Sequence, residues 1–264
     1  MDLATFIGLL VGLGGLIGGF LLEGGHGGML VVRTAAIIVF GGTFGAVIVS
    51  FTADELRHIP YAFKNVFSRQ QVDYVTVLDQ LADTADKARR EGLLSLESQL
   101  DEIDNKFFSR GLQLVIDGTD PELTRNMLDM EIEAFEKDEM IGSEIFMVAG
   151  GYAPTMGIIG TVLGLIHVLS SIAEPDQLAS AIAVAFLATL YGVASANVLW
   201  LPFGTKLRIK AEKEVHLMEL ILEGILSIQA GENPRVVREK LLTFLPPNTR
   251  EIMAGEEKAF EARM

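Results

Sequence analysis

The chain of 264 residues contains no cysteine. Disulfides, thiolate metal sites and a cysteine nucleophile are thereby excluded. Histidine is scarce too: His26, His58, His167 and His216 are scattered without the spacing of a ligand set. Basic residues are missing where a secretory leader needs them. Met1-Asp2-Leu3 turns apolar at once, with no positive n-region and no clear small-residue cleavage site, so the first segment is expected to be a retained membrane helix. Nor is there an acid–base constellation, a metal set or a phosphate-binding loop, and an enzyme is not expected.

Half of the residues are hydrophobic, and they collect in two blocks, roughly 1–52 and 145–203. A helix crosses a bilayer core with about 20 apolar residues. Four segments meet that length: 3–22, 29–52, 145–171 and 178–203. The polar turn Glu23 to Gly28 joins the first pair, and Ser171 to Gln177 joins the second, so each pair is expected to be a helical hairpin.

Lysine and arginine set the orientation. Of 21 such residues, ten lie in 53–144 and ten in 203–264; only Arg33 lies elsewhere. Both polar regions are therefore expected in the cytoplasm, with the short turns outside and both termini inside. The net charge is −14, and 53–144 holds 21 acids against its ten bases. Such a surface disfavours nucleic acid and favours a charged protein partner.

The pattern predicts an all-α membrane protein. It has four transmembrane helices, a helical cytoplasmic insertion between spans two and three, and long helical extensions of spans three and four. Four regions follow: a transmembrane hairpin at 1–52, a cytoplasmic helical region at 53–144, a second hairpin at 145–203 and a cytoplasmic tail at 204–264. Within the insertion, Val72 to Arg90 has helical spacing and Gly92 ends it. A second helix is expected from Ser95 to about Phe108. Asp120-Pro121-Glu122 opens a third, with Asp as cap and Pro at the first helical position. That helix runs on into span three. Span four continues through Thr205 to Ala230, Gly231-Glu232-Asn233-Pro234 stops it, and a short helix follows. Pro246-Pro247 and an acidic tail, expected to be mobile, close the chain.

Gly157, Gly160, Thr161 and Gly164 fall on one face of span three. Span four carries a matching stripe: Ala181, Ala185, Ala188, Thr189, Gly192, Ser195 and Ala196. Small residues let helices approach closely in lipid. The stripes can therefore serve ordinary helix packing, or form a surface around a further helix or along a polar path. Neither span contains Asp, Glu, Lys or Arg. An intramembrane ion carrier needs an ionisable group, so a partner must supply the carboxylate if ions pass. His167 is the one titratable candidate, against the ordinary alternative of an interfacial histidine. Pro154 and Pro202 each remove a helical hydrogen bond; a static bend and a hinge both follow from that.

The stretch Pro154 to Gly164, with Ala188-Thr189-Leu190-Tyr191-Gly192 and Leu201-Pro202-Phe203-Gly204, resembles the MotA family of flagellar stators, grouped with the TolQ and ExbB proteins. Arg89-Arg90-Glu91-Gly92-Leu93-Leu94-Ser95-Leu96-Glu97, Gly231 to Pro234 and Phe244 to Pro247 are similar to segments of the same family, in the same order along nearly the whole chain.

The resemblance implies a homo-pentamer in the bacterial inner membrane, around a dimer of MotB-type single-span chains that carry an aspartate and grip peptidoglycan. Ion passage would turn the ring and push the rotor protein FliG. It implies an ion path past Thr161 and Thr189, lined by Gly157, Gly160, Gly164 and Ala185. Coupling would run through Pro154 and Pro202, and rotor contact through Arg89 or its neighbour Arg90, with Glu97. No cofactor is implied; the translocated ion is H+ or Na+, with protons slightly favoured. On residues alone, Arg89 and Glu97 are equally a solvated charge pair of little worth. A TolQ/ExbB-type energiser of envelope transport is the alternative, though such proteins usually have three spans. A passive membrane scaffold is the other.

Overall fold

The computed structural model describes residues 2–69, 72–170, 175–245 and 250, with backbone alone for 175–180. Most of the expected turn at 171–177, and Pro246-Pro247 with the acidic tail, lie outside the described residues. Among the described residues every regular element is helical. In chain order these are α1 (Leu3–Leu22), a 3₁₀ turn (Gly27–Leu30), α2 (Arg33–Ala36), a π turn (Ile37–Gly41), α3 (Gly42–Ser50), α4 (Ala53–Leu56), α5 (Ile59–Phe67), α6 (Tyr74–Glu91), a 3₁₀ helix (Leu93–Glu102), α7 (Lys106–Ile116), α8 (Pro121–Ser170), α9 (Pro175–Ser195), a second π turn (Ala196–Trp200), α10 (Leu201–Gln229) and α11 (Pro234–Leu242). Four helical stretches, Leu3–Leu22, Gly27–Ser50, Pro121–Ser170 and Ala181–Gln229, are long and apolar enough to cross a membrane.

Caps set several of the boundaries. Asp120 Oδ1 accepts from Glu122 N at 2.9 Å, so Pro121 opens α8 as expected and the helix reaches Ser170 without a break. Thr52 and Glu55 form a reciprocal capping box at the start of α4. Asn233 accepts from Arg235 N and starts α11.

The structure refines one of these boundaries, corrects one helix and adds another. The second apolar span runs over Gly27–Ser50, and within it the α-helix begins at Arg33, where Tyr191 Oη takes the Val32 amide (2.9 Å) and the Leu30 carbonyl after the 3₁₀ turn. The helix expected from Ser95 to Phe108 is divided. Residues Leu93–Glu102 wind as 3₁₀, and Asn105 then caps a new helix by accepting from Phe108 N at 3.0 Å. The helix α5 went unread in the sequence; its Ala62 and Val66 pack on Phe203 and Leu207.

The chain divides into two compact units, 1–70 with 138–210 and 71–137 with 211–264. The second unit has a conventional core. Leu78 and Leu81 of α6, Phe108 and Leu112 of α7, Leu128 of α8, Leu220, Ile221 and Ile225 of α10, and Leu241 of α11 are fully buried. Lys240 ties α11 to α10 through Glu223 at 2.5 Å, and Arg125 reaches the same carboxylate at 3.4 Å.

The first unit has smaller apolar clusters and extensive exposed Leu, Ile and Val, the composition of a surface that faces lipid. No residue of α1 is buried. Its N-terminal end is nevertheless fixed: Asp2 N donates to Phe67 O at 2.9 Å, and Lys206 Nζ bonds both Asp2 and Thr5.

Candidate functional site

The two small-residue stripes meet each other. A Cβ on Gly164 would stand 2.7 Å from Ala185 Cβ, and one on Gly160 would stand 2.7 Å from Ala188 Cβ. At Gly157 it would meet Ala188 O at 2.8 Å and Thr189 Cα at 3.0 Å. Gly192 faces the Ala153 carbonyl, and Gly150 faces Leu201. Further along, Ser143 Oγ donates to Gly204 O at 2.7 Å. The partner number falls as the α8 number rises, so the helices run antiparallel and share one long, close seam. The packing alternative left open by the sequence is therefore what the single chain uses the glycines for.

The seam brings the two threonines together. Thr161 Oγ1 and Thr189 Oγ1 are 2.6 Å apart. Thr161 Oγ1 also lies 3.1 Å from Gly157 O and 3.0 Å from Ala185 O, while Thr189 Oγ1 lies 3.4 Å from Gly157 O. Two hydroxyls and two carbonyls thus converge, the carbonyls belonging to two residues of the expected path. Both threonines are half-buried and sit at the edge of the seam. Each hydroxyl has one proton to donate and keeps lone pairs for a further donor or a cation. Such a cluster can relay a hydrogen-bonded proton or offer oxygen to a hard cation.

His167 is apart from this cluster. It lines a cavity of about 410 Å³ together with Thr34, Ile38, Leu163, Val184 and Ala185.

The prolines sit beside the same seam. Pro154 lies inside α8, which continues through it. Pro202 is in the first turn of α10, directly after the π turn Ala196–Trp200. The residue one turn before Pro154, Gly150, packs on Leu201, so the two prolines occupy neighbouring levels of adjacent helices.

A chain of aromatic rings surrounds the π turn. Phe44 meets Trp200 edge-on at 5.9 Å, and Trp200 stacks on Phe146 at 6.2 Å. Phe146 meets Phe203 at 5.8 Å, and Phe203 meets Phe67 at 5.7 Å. Phe67 reaches Phe6 of α1 at 5.3 Å. Sequence reading missed this chain and the contact of Lys206 with Asp2 and Thr5. The Asp2-x-x-Thr5 spacing was the one local signal, because it is a helix-cap pattern.

In the second unit, Arg89, Arg90 and Glu97 are all exposed. They do not share a helix. Gly92 adopts φ 88°, ψ 161°, a region open essentially to glycine alone, and ends α6 before the 3₁₀ helix that carries Glu97. Arg90 pairs with Asp86 at 2.7 Å, whereas Arg89 makes no ion pair among the described residues.

Comparison with known proteins matches residues 99–220 to the MotA/TolQ/ExbB proton channel family and residues 6–92 to the motility protein A N-terminal family. Motility protein A of Bacillus subtilis (strain 168) is 37% identical over 99% of this chain and 100% of its own length. Chemotaxis protein PomA of Vibrio alginolyticus is 34% identical over 97% of this chain and 100% of its own.

Among solved structures, a chain of the flagellar MotAB stator complex from Bacillus subtilis superposes with a TM-score of 0.90 at 37% identity, over 96% of this chain and 100% of that one. A chain of C. jejuni MotAB gives 0.89 at 32% identity, over 94% and 97%. These relatives are motility and stator proteins, not enzymes. With both family models and near full-length relatives in agreement, the chain belongs to the MotA/TolQ/ExbB proton channel family, as one of its flagellar stator subunits.

Proposed function

We propose that this chain, assembled as a pentamer around a dimer of MotB-type chains, passes ions along the α8–α9 seam and converts their flow into torque on the rotor protein FliG. In this reading the protein lies in the inner membrane with both termini in the cytoplasm. Residues 1–52 and 145–203 are its membrane hairpins, and 53–144 and 204–264 are its cytoplasmic parts. The solved relatives are parts of MotAB complexes, which supports the partner.

The observation that carries the reading is the Thr161–Thr189 pair. Two hydroxyls and the carbonyls of Gly157 and Ala185 converge beside a glycine seam, between spans 145–171 and 178–203, which hold no Asp, Glu, Lys or Arg. A hydroxyl cluster alone cannot hold a titrating proton near neutral pH, so a carboxylate from a partner helix completes the path. Gly160, Gly164 and Ala185 keep the two helices close enough for the hydroxyls to touch. Pro154 in α8 and Pro202, directly after the π turn, are the places where turning of the ring bends the helices. We take protons as the coupling ion, since the cluster's hydrogen bonds already form a relay. Of the two arginines, Arg89 is assigned to the rotor, because Arg90 is engaged with Asp86.

Reconstitution tests this. The chain alone in liposomes is expected to pass no current. With the single-span partner it conducts along a proton gradient, and Thr161→Val lowers that current. Current through the chain without a partner would sink the incomplete-path argument. A current that follows sodium instead of protons would overturn the ion assignment while leaving the path in place.

A further inference from the structure

We propose that α5 lies in the membrane surface and that one of its faces binds anionic phospholipid headgroups, with Lys64 on the phosphate and Phe63 in the acyl boundary beside it. The proposal rests on the membrane placement of the two hairpins and adds the class of lipid that this face meets.

Helix residues three and four apart share a face, so α5 (Ile59–Phe67) and its flanking residues divide into three. Ala62 and Val66 are buried and pack with Phe203 and Leu207. His58, Tyr61, Asn65 and Ser68 form a second face, and each has a partner on α8 or α10. Tyr61 Oη donates to Glu139 Oε1 at 3.0 Å, and His58 Nε2 lies 3.8 Å from Asp138 Oδ1. Lys210 Nζ donates to Asn65 O at 2.5 Å and to Ser68 O at 2.8 Å. Pro60, Phe63, Lys64 and Phe67 form the third face, and the first three of these are exposed.

Two contacts set the height of that third face. The Phe67 ring stands 5.3 Å from Phe6 of α1, and Phe67 O accepts from Asp2 N at 2.9 Å. The helix α1 has membrane length, starts at Leu3 and has no buried residue. Phe6 is therefore about 5 Å inside the polar end of a span, at 1.5 Å per residue. The face lies where that span enters the bilayer. Phe63 meets Phe67 at 5.3 Å and is 50% exposed, so the aromatic row continues outward along the boundary. Apolar rings beside a basic residue on a short helix are the pattern of a helix lying in the interface.

Charge selects the lipid. The chain carries −14 overall, yet residues 56–72 hold no Asp or Glu, and Arg57, Lys64 and Arg69 stand among them. All three are exposed. Arg57 pairs with Asp54 at 3.0 Å. The acids that touch this segment from α8, Asp138 and Glu139, do so through the second face and leave the face of Lys64 basic. A lysine offers a phosphate oxygen a point charge. One base at a bilayer surface corresponds to about a fivefold preference for anionic over zwitterionic lipid.

The test uses the full chain in phosphatidylcholine vesicles. Trp200→Phe removes the single tryptophan, and Phe63→Trp places one on the proposed face. Brominated phosphatidylglycerol is expected to quench it at about fivefold lower mole fraction than brominated phosphatidylcholine. Lys64→Gln, or 1 M salt, should bring the two lipids together, and Lys64→Arg should keep them apart. Leu10→Trp in the same background, at a position of α1 that is 73% exposed, should be quenched by both lipids alike. If Leu10→Trp resists quenching, the membrane placement itself fails. If it is quenched and Phe63→Trp is not, protein covers the face and only this proposal is overturned. Equal quenching of Phe63→Trp by the two lipids also overturns it. A chain that keeps its own tryptophan and phenylalanine supplies the check on folding: it should retain phosphatidylglycerol in detergent and lose it in Lys64→Gln, and equal retention by both overturns the site.

Discussion

Gly157→Ala and Gly151→Ala make the same chemical change about 1.7 turns apart on α8, and the structure expects opposite results. At Gly157 the new methyl would stand 2.8 Å from Ala188 O, 3.0 Å from Thr189 Cα and 3.3 Å from Gly192 Cα. All three are backbone atoms, so none can rotate away. Ordinary contact begins near 3.4 Å, and 3.4 − 2.8 leaves about 0.6 Å by which the helices must separate. That movement stretches the hydroxyl contact of Thr161 with Thr189. Overpacking of this kind costs about 1–3 kcal/mol. At Gly151 nothing lies within 4 Å, and the residue is exposed.

Both variants gain the same helical preference of alanine over glycine, about 1 kcal/mol, so it cancels in the comparison. The expected difference is therefore about 1–3 kcal/mol, or roughly 2–6 °C in melting temperature for a chain of this size. Thermal unfolding in detergent, followed by the fluorescence of the single tryptophan, Trp200, measures it. A Gly157→Ala protein that melts with or above Gly151→Ala would refute the seam as described.

Two further outcomes follow from ionic contacts. Lys206→Met should destabilise the first unit by about 1–3 kcal/mol, because Lys206 and Asp2 are each only 25% exposed and the ammonium also bonds Thr5. Pairing it with Asp2→Asn in a double-mutant cycle should give a coupling of about 1 kcal/mol; simple additivity would show that the N-terminus is not held by this contact. In the second unit burial opposes ionisation of Glu223, but the hydrogen bond and charge of Lys240, with Arg125 beyond, overrule it and hold the carboxyl below its ordinary 4.5. A depressed folded value means stability that is present above the ordinary value and lost as pH falls through the folded one. Glu223→Gln should therefore flatten the acid limb of the stability profile; an unchanged acid limb would refute the assignment.

How much of the site was legible differs from residue to residue. Thr161, Thr189 and the glycines were visible because a helix repeats every 3.6 residues, and a stripe on one helix is a local property. Their meeting was not, because it depends on how α8 and α9 are rotated about their axes and on the antiparallel register of the seam. The Ser95–Phe108 helix was misread because helical spacing does not separate α from 3₁₀ winding over ten residues. Only the packing of half-buried Leu93 and buried Leu96 on the core, with the Asn105 cap, decides it.

The sequence by itself determined four apolar segments of membrane length, the stops at Gly92 and at Gly231 to Pro234, the long continuations of spans three and four, and the lack of Asp, Glu, Lys or Arg along 145–171 and 178–203. These are matters of composition and short-range pattern, which hold wherever the chain is placed. Only the tertiary structure decided that the small stripes close on each other, that two hydroxyls 28 residues apart touch, and that Lys206 reaches back 204 residues to Asp2. Each depends on a rotation, a register or a distant contact, and these are fixed by packing rather than by any neighbour in the sequence.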